Sequence, residues 1–178
     1  GTKFGKTESG NIWLDAKKTS PYAFYQFWLN AADADVKSYI RIFSLKGKEE
    51  IEALEAEDAA NPGKRIFQKA LAEEITTRVH SQADLEKAKE ITEVFFNGKK
   101  EDLVKLSEQD LNDIYNGLGE KKAFSVEAKL LTEGISVLDL LSVHATVFPS
   151  KSEAKKMVQG GGVSLNKEKI TALDAKVD

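Results

Sequence analysis

Tyr22, Phe24, Tyr25, Phe27 and Trp28 place five aromatic side chains within seven residues, and no other stretch of the chain restricts the fold as strongly. On a helix these positions spread over more than one stripe, so the helix must be covered from several sides. The run therefore predicts a central core helix rather than a platform for stacking bases. Ser20 can cap it, with Pro21 at the first helical position, where a missing N–H leaves no bond unmade. The segments that follow supply partners. Val36, Tyr39, Ile40 and Phe43 fall at spacings of three and four, and Phe67, Leu71, Ile75 and Val79 recur every fourth residue. Leu85, Ala88, Ile91 and Phe95 form a third stripe behind a Ser81–Asp84 capping box, ended by Asn97-Gly98. Asn61-Pro62-Gly63 breaks the chain between two of these helices. Glu49 to Ala60 carries an acidic face over Ile51 and Leu54, a solvated surface that repels a phosphate backbone. Residues 19–97 thus read as a helical domain.

Ahead of it, Gly1-Thr2-Lys3-Phe4-Gly5-Lys6-Thr7 combines two lysines, a glycine that permits close backbone approach and a hydroxyl, which is equipment for holding polyphosphate. A Walker A loop needs four residues between its glycine and Gly-Lys-Thr, whereas Gly1 and Gly5 enclose three. That motif also runs directly into a helix. Here Glu8-Ser9-Gly10-Asn11 reads as a turn and Ile12-Trp13-Leu14 as a short extended piece.

Composition narrows the function classes. A net charge of −3 argues against a globally basic nucleic-acid binder, so any RNA contact must be local. The absence of cysteine removes disulfide, zinc–cysteine and thiol chemistry and fits a cytoplasmic protein. No apolar run has the length of a membrane span. His80 has no second histidine or cysteine nearby and reads as a surface or capping residue, not a metal ligand. No nucleophile–base–acid set is present.

Residues 98–133 read as a connector. Ser107 with Asp110 can cap a short helix bearing Leu111, Ile114 and Tyr115, and Gly117 to Lys122 is the expected hinge. Residues 134–178 then change character. Val137, Leu138, Leu140 and Leu141 make an apolar helix face, and Pro149-Ser150 starts a further helix with Glu153 completing a capping box. On that helix Ser152, Lys155, Lys156 and Gln159 fall at offsets of zero, three, four and seven, while Ala154, Met157 and Val158 form the opposite, apolar face. Lys151 and Ser152 lie at the helix start, where free N–H groups favour phosphate. Gly160-Gly161-Gly162 ends the helix, and Val163 to Asn166 reads as a strand turning at Asn166-Lys167. Lys151 to Lys169 holds five lysines against two glutamates, a local positive excess in an acidic chain.

Lys3-Phe4-Gly5-Lys6-Thr7, followed by Trp13-Leu14-Asp15, Lys18-Thr19-Ser20-Pro21-Tyr22 and Phe24-Tyr25-Gln26-Phe27-Trp28, resembles bacterial tyrosyl-tRNA synthetases. The first five residues match the mobile KMSKS loop of class I aminoacyl-tRNA synthetases, and the remainder matches that family's passage out of the catalytic domain. The Ser150–Gln159 helix, glycine turn and Val-x-Leu-Asn strand resemble the alpha-L RNA-binding module at the family's C-terminus. Together the resemblance covers essentially the whole chain and implies the C-terminal half of a tyrosine–tRNA ligase, an enzyme that activates tyrosine with ATP and attaches it to tRNA(Tyr). The implied fold is mainly α: a bundle-like helical domain followed by a small α+β module. The implied divisions are 1–18, the loop and exit from a catalytic domain; 19–97, a helical domain against the anticodon arm; 98–133; and 134–178, the RNA module without its usual last strands. By resemblance Lys3, Lys6 and Thr7 are catalytic, and with Gly5 they bind ATP in its magnesium-bound form. Lys151, Ser152, Lys155, Lys156 and Gln159 face RNA by the same carry-over.

Two departures stand out. Thr7 replaces the more usual serine, retaining the hydroxyl, and the RNA helix has lysine where arginine is frequent, which weakens bidentate grips on phosphate. The resemblance further implies a homodimeric full-length enzyme, a monomeric fragment that neither forms adenylate nor stably holds ATP, no metal held by the protein and no membrane. The alternative expectation is a non-catalytic RNA-binding protein that uses the same module.

Overall fold

The computed structural model describes residues 6–7, 10–61, 63–118 and 124–177. They are mainly helical, with two-residue strands paired only in twos, and the chain divides into two compact units. The first comprises residues 1–98 and 105–119, the second 99–104 and 120–178.

In the first unit, strands β1 (Lys6–Thr7) and β2 (Gly10–Asn11) pair antiparallel, Lys6 opposite Asn11 and Thr7 opposite Gly10. The extended pairing thus falls just before Ile12-Trp13-Leu14. Helix α1 (Pro21–Leu29) starts at Ser20, whose Oγ accepts the Ala23 N–H at 3.2 Å. Tyr22, Phe24, Tyr25 and Trp28 are all buried, so the helix is enclosed on several sides. Around it lie α2 (Asp33–Phe43), α3 (Lys48–Ala60), α4 (Ile66–Val79), α5 (Gln82–Asn97) and α7 (Glu108–Leu118). The short α6 (Lys100–Leu103) intervenes before α7. Of these, α4, α5 and α7 pack directly on α1, while α2 and α3 pack on α4.

Val36 and Ile40 from α2, Phe67, Leu71 and Ile75 from α4, and Leu85, Ala88 and Ile91 from α5 complete the core. Trp28 is its aromatic hub, edge-on to Phe24, Phe27, Tyr39 and Phe43 at centroid separations of 5.3–6.4 Å. A part-buried polar pair lies inside this core. Gln26 donates to Thr92 Oγ1 at 2.7 Å, and that hydroxyl donates to the Ala88 carbonyl at 2.7 Å. Burial, with Asp113 adding, pushes the Tyr22 phenol up to about 12; burial with Glu73 and Glu86 does the same to Tyr25. Neither phenol ionises near neutral pH.

Helix α7 is fixed by a capping box in which Ser107 Oγ accepts the Asp110 N–H at 3.1 Å and Asp110 Oδ2 accepts the Ser107 N–H at 3.0 Å. The same carboxylate receives Lys87 of α5 at 3.1 Å. Burial raises the Asp110 pKa, but the Ser107 hydrogen bonds and Lys87 outweigh it, and the net displacement is downward. The folded state therefore binds the Asp110 proton less readily than the unfolded chain. The stabilisation is complete above the ordinary aspartate range and is lost as pH falls through the folded value. Asp110→Asn leaves Lys87 with only the more distant Glu90 carboxylate and weakens the cap. A loss of about 1–3 kcal/mol is expected in urea unfolding at pH 7, and the difference from the parent should shrink toward pH 3.

The second unit contains α8 (Ala128–Thr132), β3 (Ile135–Ser136) and α9 (Val137–Asp139), which runs into a π-helical turn at Leu140–His144. After it come α10 (Lys151–Gln159), β4 (Ser164–Leu165), β5 (Glu168–Lys169) and β6 (Lys176–Val177). β4 and β5 form a hairpin whose central residues, Asn166 and Lys167, have φ of 48° and 69°, the left-handed pair that suits tight hairpin turns. β6 returns to pair antiparallel with β3, Ile135 opposite Val177. Ile135, Val137, Ala145, Ala154, Val158 and Val163 make this unit's smaller core. Among the described residues no helix is long and apolar enough to cross a membrane.

Candidate nucleic-acid interface

The basic helix α10 is built from its cap upward. Ser150 is extended and its Oγ accepts the Glu153 N–H at 3.2 Å, which starts the helix at Lys151. Ala154 and Val158, four apart, are completely buried against α9 and the π-helical turn. The phase this imposes leaves Lys151, Ser152, Lys155, Lys156 and Gln159 exposed. Met157 departs from the sequence expectation. It is 42% exposed rather than part of the buried face, and its terminal methyl lies over Gly162, where an added Cβ would come within 2.7 Å of it. A long, flexible thioether at the helix end covers the glycine turn instead of entering a core already filled by Ala154 and Val158.

The five side chains expected to face RNA are not electrostatically alike. Lys151 forms an ion pair with Asp139 of α9. Lys155 and Lys156 form no ion pair with any described residue. Sequence reasoning did not single out Lys169, whose stem crosses Gly161: a Cβ there would lie 2.4 Å from Lys169 Cε. Its charge therefore sits at the turn that closes α10. The Asn166-Lys167 turn signal, which returns β5 beside β4, was the clue that could have found it.

Gly161 has φ 68°, a conformation that L side chains rarely adopt. Gly161→Ala is expected to cost about 1–2 kcal/mol, chiefly from that backbone conformation, because the Lys169 tip can swing aside. Faster amide exchange across β4 and β5 checks it.

At the other end, Lys3 and Gly5 lie outside the described residues. Lys6 and Thr7 form the first strand of the β1–β2 hairpin, and the next helix begins only at Pro21, unlike a Walker loop. The hairpin's exit is tied down locally. The Trp13 N–H donates to Thr19 Oγ1 at 2.9 Å, the Asp15 carbonyl accepts from the Lys18 and Thr19 N–H groups, and Lys18 Nζ stands 4.2 Å over the Trp13 ring. Thr19 is itself buried beside the Ser20 cap, so the link joins the hairpin base to the start of α1.

His80, at the α4–α5 elbow, packs edge-on against Phe24 at 4.9 Å. Burial lowers its pKa, with Asp84 opposing. Among the described residues no cluster of three or more histidine, aspartate or glutamate side chains could hold a metal ion.

The described residues thus comprise a hairpin containing Lys6-Thr7, a helical unit and a small α+β unit with an exposed lysine helix. The family model for class I tRNA synthetases (W and Y) matches residues 1–97. The tyrosine–tRNA ligase of Cytophaga hutchinsonii is 54% identical over 100% of this chain and 42% of its own length. That of Parabacteroides distasonis is 50% identical over 100% of this chain and 41% of its own. A crystal structure of a C-terminally truncated Aspergillus nidulans mitochondrial tyrosyl-tRNA synthetase aligns at 30% identity and a TM-score of 0.47, covering 51% of this chain and 25% of that one. The chain belongs to the class I tRNA synthetase family. It spans about two fifths of the length of the curated relatives it matches.

Proposed function

We propose that this chain is the part of a tyrosine–tRNA ligase that clamps the phosphates of ATP and holds tRNA(Tyr). The observation that carries the reading is the identity of about half to tyrosine–tRNA ligases along the whole chain. Lys155 and Lys156, exposed and without an ion pair to any described residue, support its RNA half.

In this reading Lys3 and Lys6 stabilise the negative charge that develops as pyrophosphate leaves magnesium-bound ATP. Thr7 donates its hydroxyl to the same phosphates, and Gly5 lets the backbone approach them. That is electrostatic catalysis, with no covalent step on this chain. Unit 2 supplies a phosphate-binding face from Ser152, Lys155, Lys156 and Gln159, with Lys151 at its edge. Unit 1 lies along the anticodon arm, its acidic α3 turned from the RNA. The enzyme works in the cytoplasm as a homodimer; the 178-residue chain alone is a monomer that binds tRNA but forms no adenylate.

Binding of the chain to a tRNA(Tyr) transcript, compared with a small-subunit ribosomal RNA fragment, tests the reading against a ribosome-associated RNA binder. Preference for the tRNA, together with no tyrosine-dependent pyrophosphate exchange, is the expected result. Preference for the ribosomal fragment, or exchange catalysed by this chain alone, overturns it.

A further inference from the structure

The expected RNA face contains one lysine whose charge is already matched. Lys151 is the first residue of α10, where the positive end of the helix dipole disfavours a cation. Its ammonium is paired with the Asp139 carboxylate, presented by α9, which packs against α10. The Asp139 side chain is 35% exposed and that of Lys151 60%, so the pair is less screened by solvent than one on open surface but remains within reach of it. A phosphate approaching Lys151 must therefore compete with a carboxylate fixed to the protein, while Lys155 and Lys156 form no ion pair with a described residue.

We propose that Asp139 is a positioning residue for RNA binding: it holds the Lys151 ammonium in an ion pair, so that phosphate is met by Lys155 and Lys156 and not by Lys151. The proposal rests on the RNA-binding reading above. Because each lysine that neutralises a phosphate releases a counterion, the salt dependence of binding counts such lysines and distinguishes this role from a purely structural one.

The test uses the 178-residue chain and a tRNA(Tyr) transcript across a salt series. Lys151→Met should leave the slope at its parent value, because no phosphate contact is lost, while the uncovered Asp139 carboxylate weakens binding. Asp139→Asn frees Lys151, and binding should tighten about three- to tenfold with the log–log slope steeper by about one. The double variant, which removes both charges of the pair, should return to the parent's affinity and slope. A slope flattened by Lys151→Met as much as by Lys155→Met means that Lys151 meets phosphate itself, which overturns the proposal. A slope steepened by Asp139→Asn in the Lys151→Met background as much as in the parent also overturns it, because Asp139 then acts without Lys151. If Lys155→Met and Lys156→Met leave the slope unchanged too, the RNA surface fails and this role fails with it. A normal response at those two lysines with none at Asp139 removes the positioning role alone. Should Asp139→Asn destabilise α10, the parent chain still decides: the Lys151 ammonium resonance must exchange with water more slowly than that of Lys155, and equal rates contradict the pair.

Discussion

Replacing Trp28 by alanine is expected to cost about 3–5 kcal/mol in urea unfolding of the first unit, the largest effect of any single substitution considered for this chain. Trp28 is 5% exposed and touches four aromatic rings drawn from its own helix and from α2. Truncation removes the apolar transfer energy of the indole and leaves a cavity that neighbours on two packed helices cannot close. Small domains hold only about 5–15 kcal/mol in total, so the variant should be largely unfolded at temperatures the parent withstands. Phe96→Ala is the control: this ring is 52% exposed, and its removal should change stability by less than about 1 kcal/mol.

The second large effect belongs to the basic helix. Lys155→Glu with Lys156→Glu reverses two charges on exposed positions, while Ala154 and Val158 beneath them stay packed. Binding to tRNA should weaken by about ten- to a hundredfold at low salt, and the log–log salt slope should flatten by about two. Unchanged melting with changed binding assigns the loss to the surface rather than to the fold. Unchanged affinity and slope removes this helix from the RNA interface.

The helices of the first unit were legible because their stripes are strong. Phe67, Leu71 and Ile75 recur at one helical spacing and are all buried. Caps were equally readable, since Ser81, Ser107 and Ser150 each accept the N–H three residues on, a bond fixed by local geometry alone. What spacing cannot give is the docking of one element on another. Leu111, Ile114 and Tyr115 mark α7 as amphipathic, yet only Ile114 is buried; Leu111 and Tyr115 are about half exposed. The helix seats itself through Gly117, where a Cβ would lie 3.1 Å from the Tyr22 ring, and through Asp110 reaching Lys87. Neither contact has a sequence signature.

The same holds at the candidate site. The offsets on α10 identified its exposed side chains, because Ala154 and Val158 fix the helix phase. They could not reveal that Lys151 already has a partner. That pair depends on the packing of α9 against α10 and on the π-helical turn after Asp139, in which the Ala145 N–H bonds the Leu140 carbonyl at 2.8 Å.

The central claim, that this chain grips tRNA through the lysine helix of its second unit, is tested most directly by amine labelling of each lysine with and without tRNA(Tyr). Lys155 and Lys156 should be strongly protected, while Lys48, 86% exposed at the start of the acidic α3, should label at the same rate in both samples. Undiminished labelling of Lys155 and Lys156 in a chain saturated with tRNA(Tyr) would contradict the account.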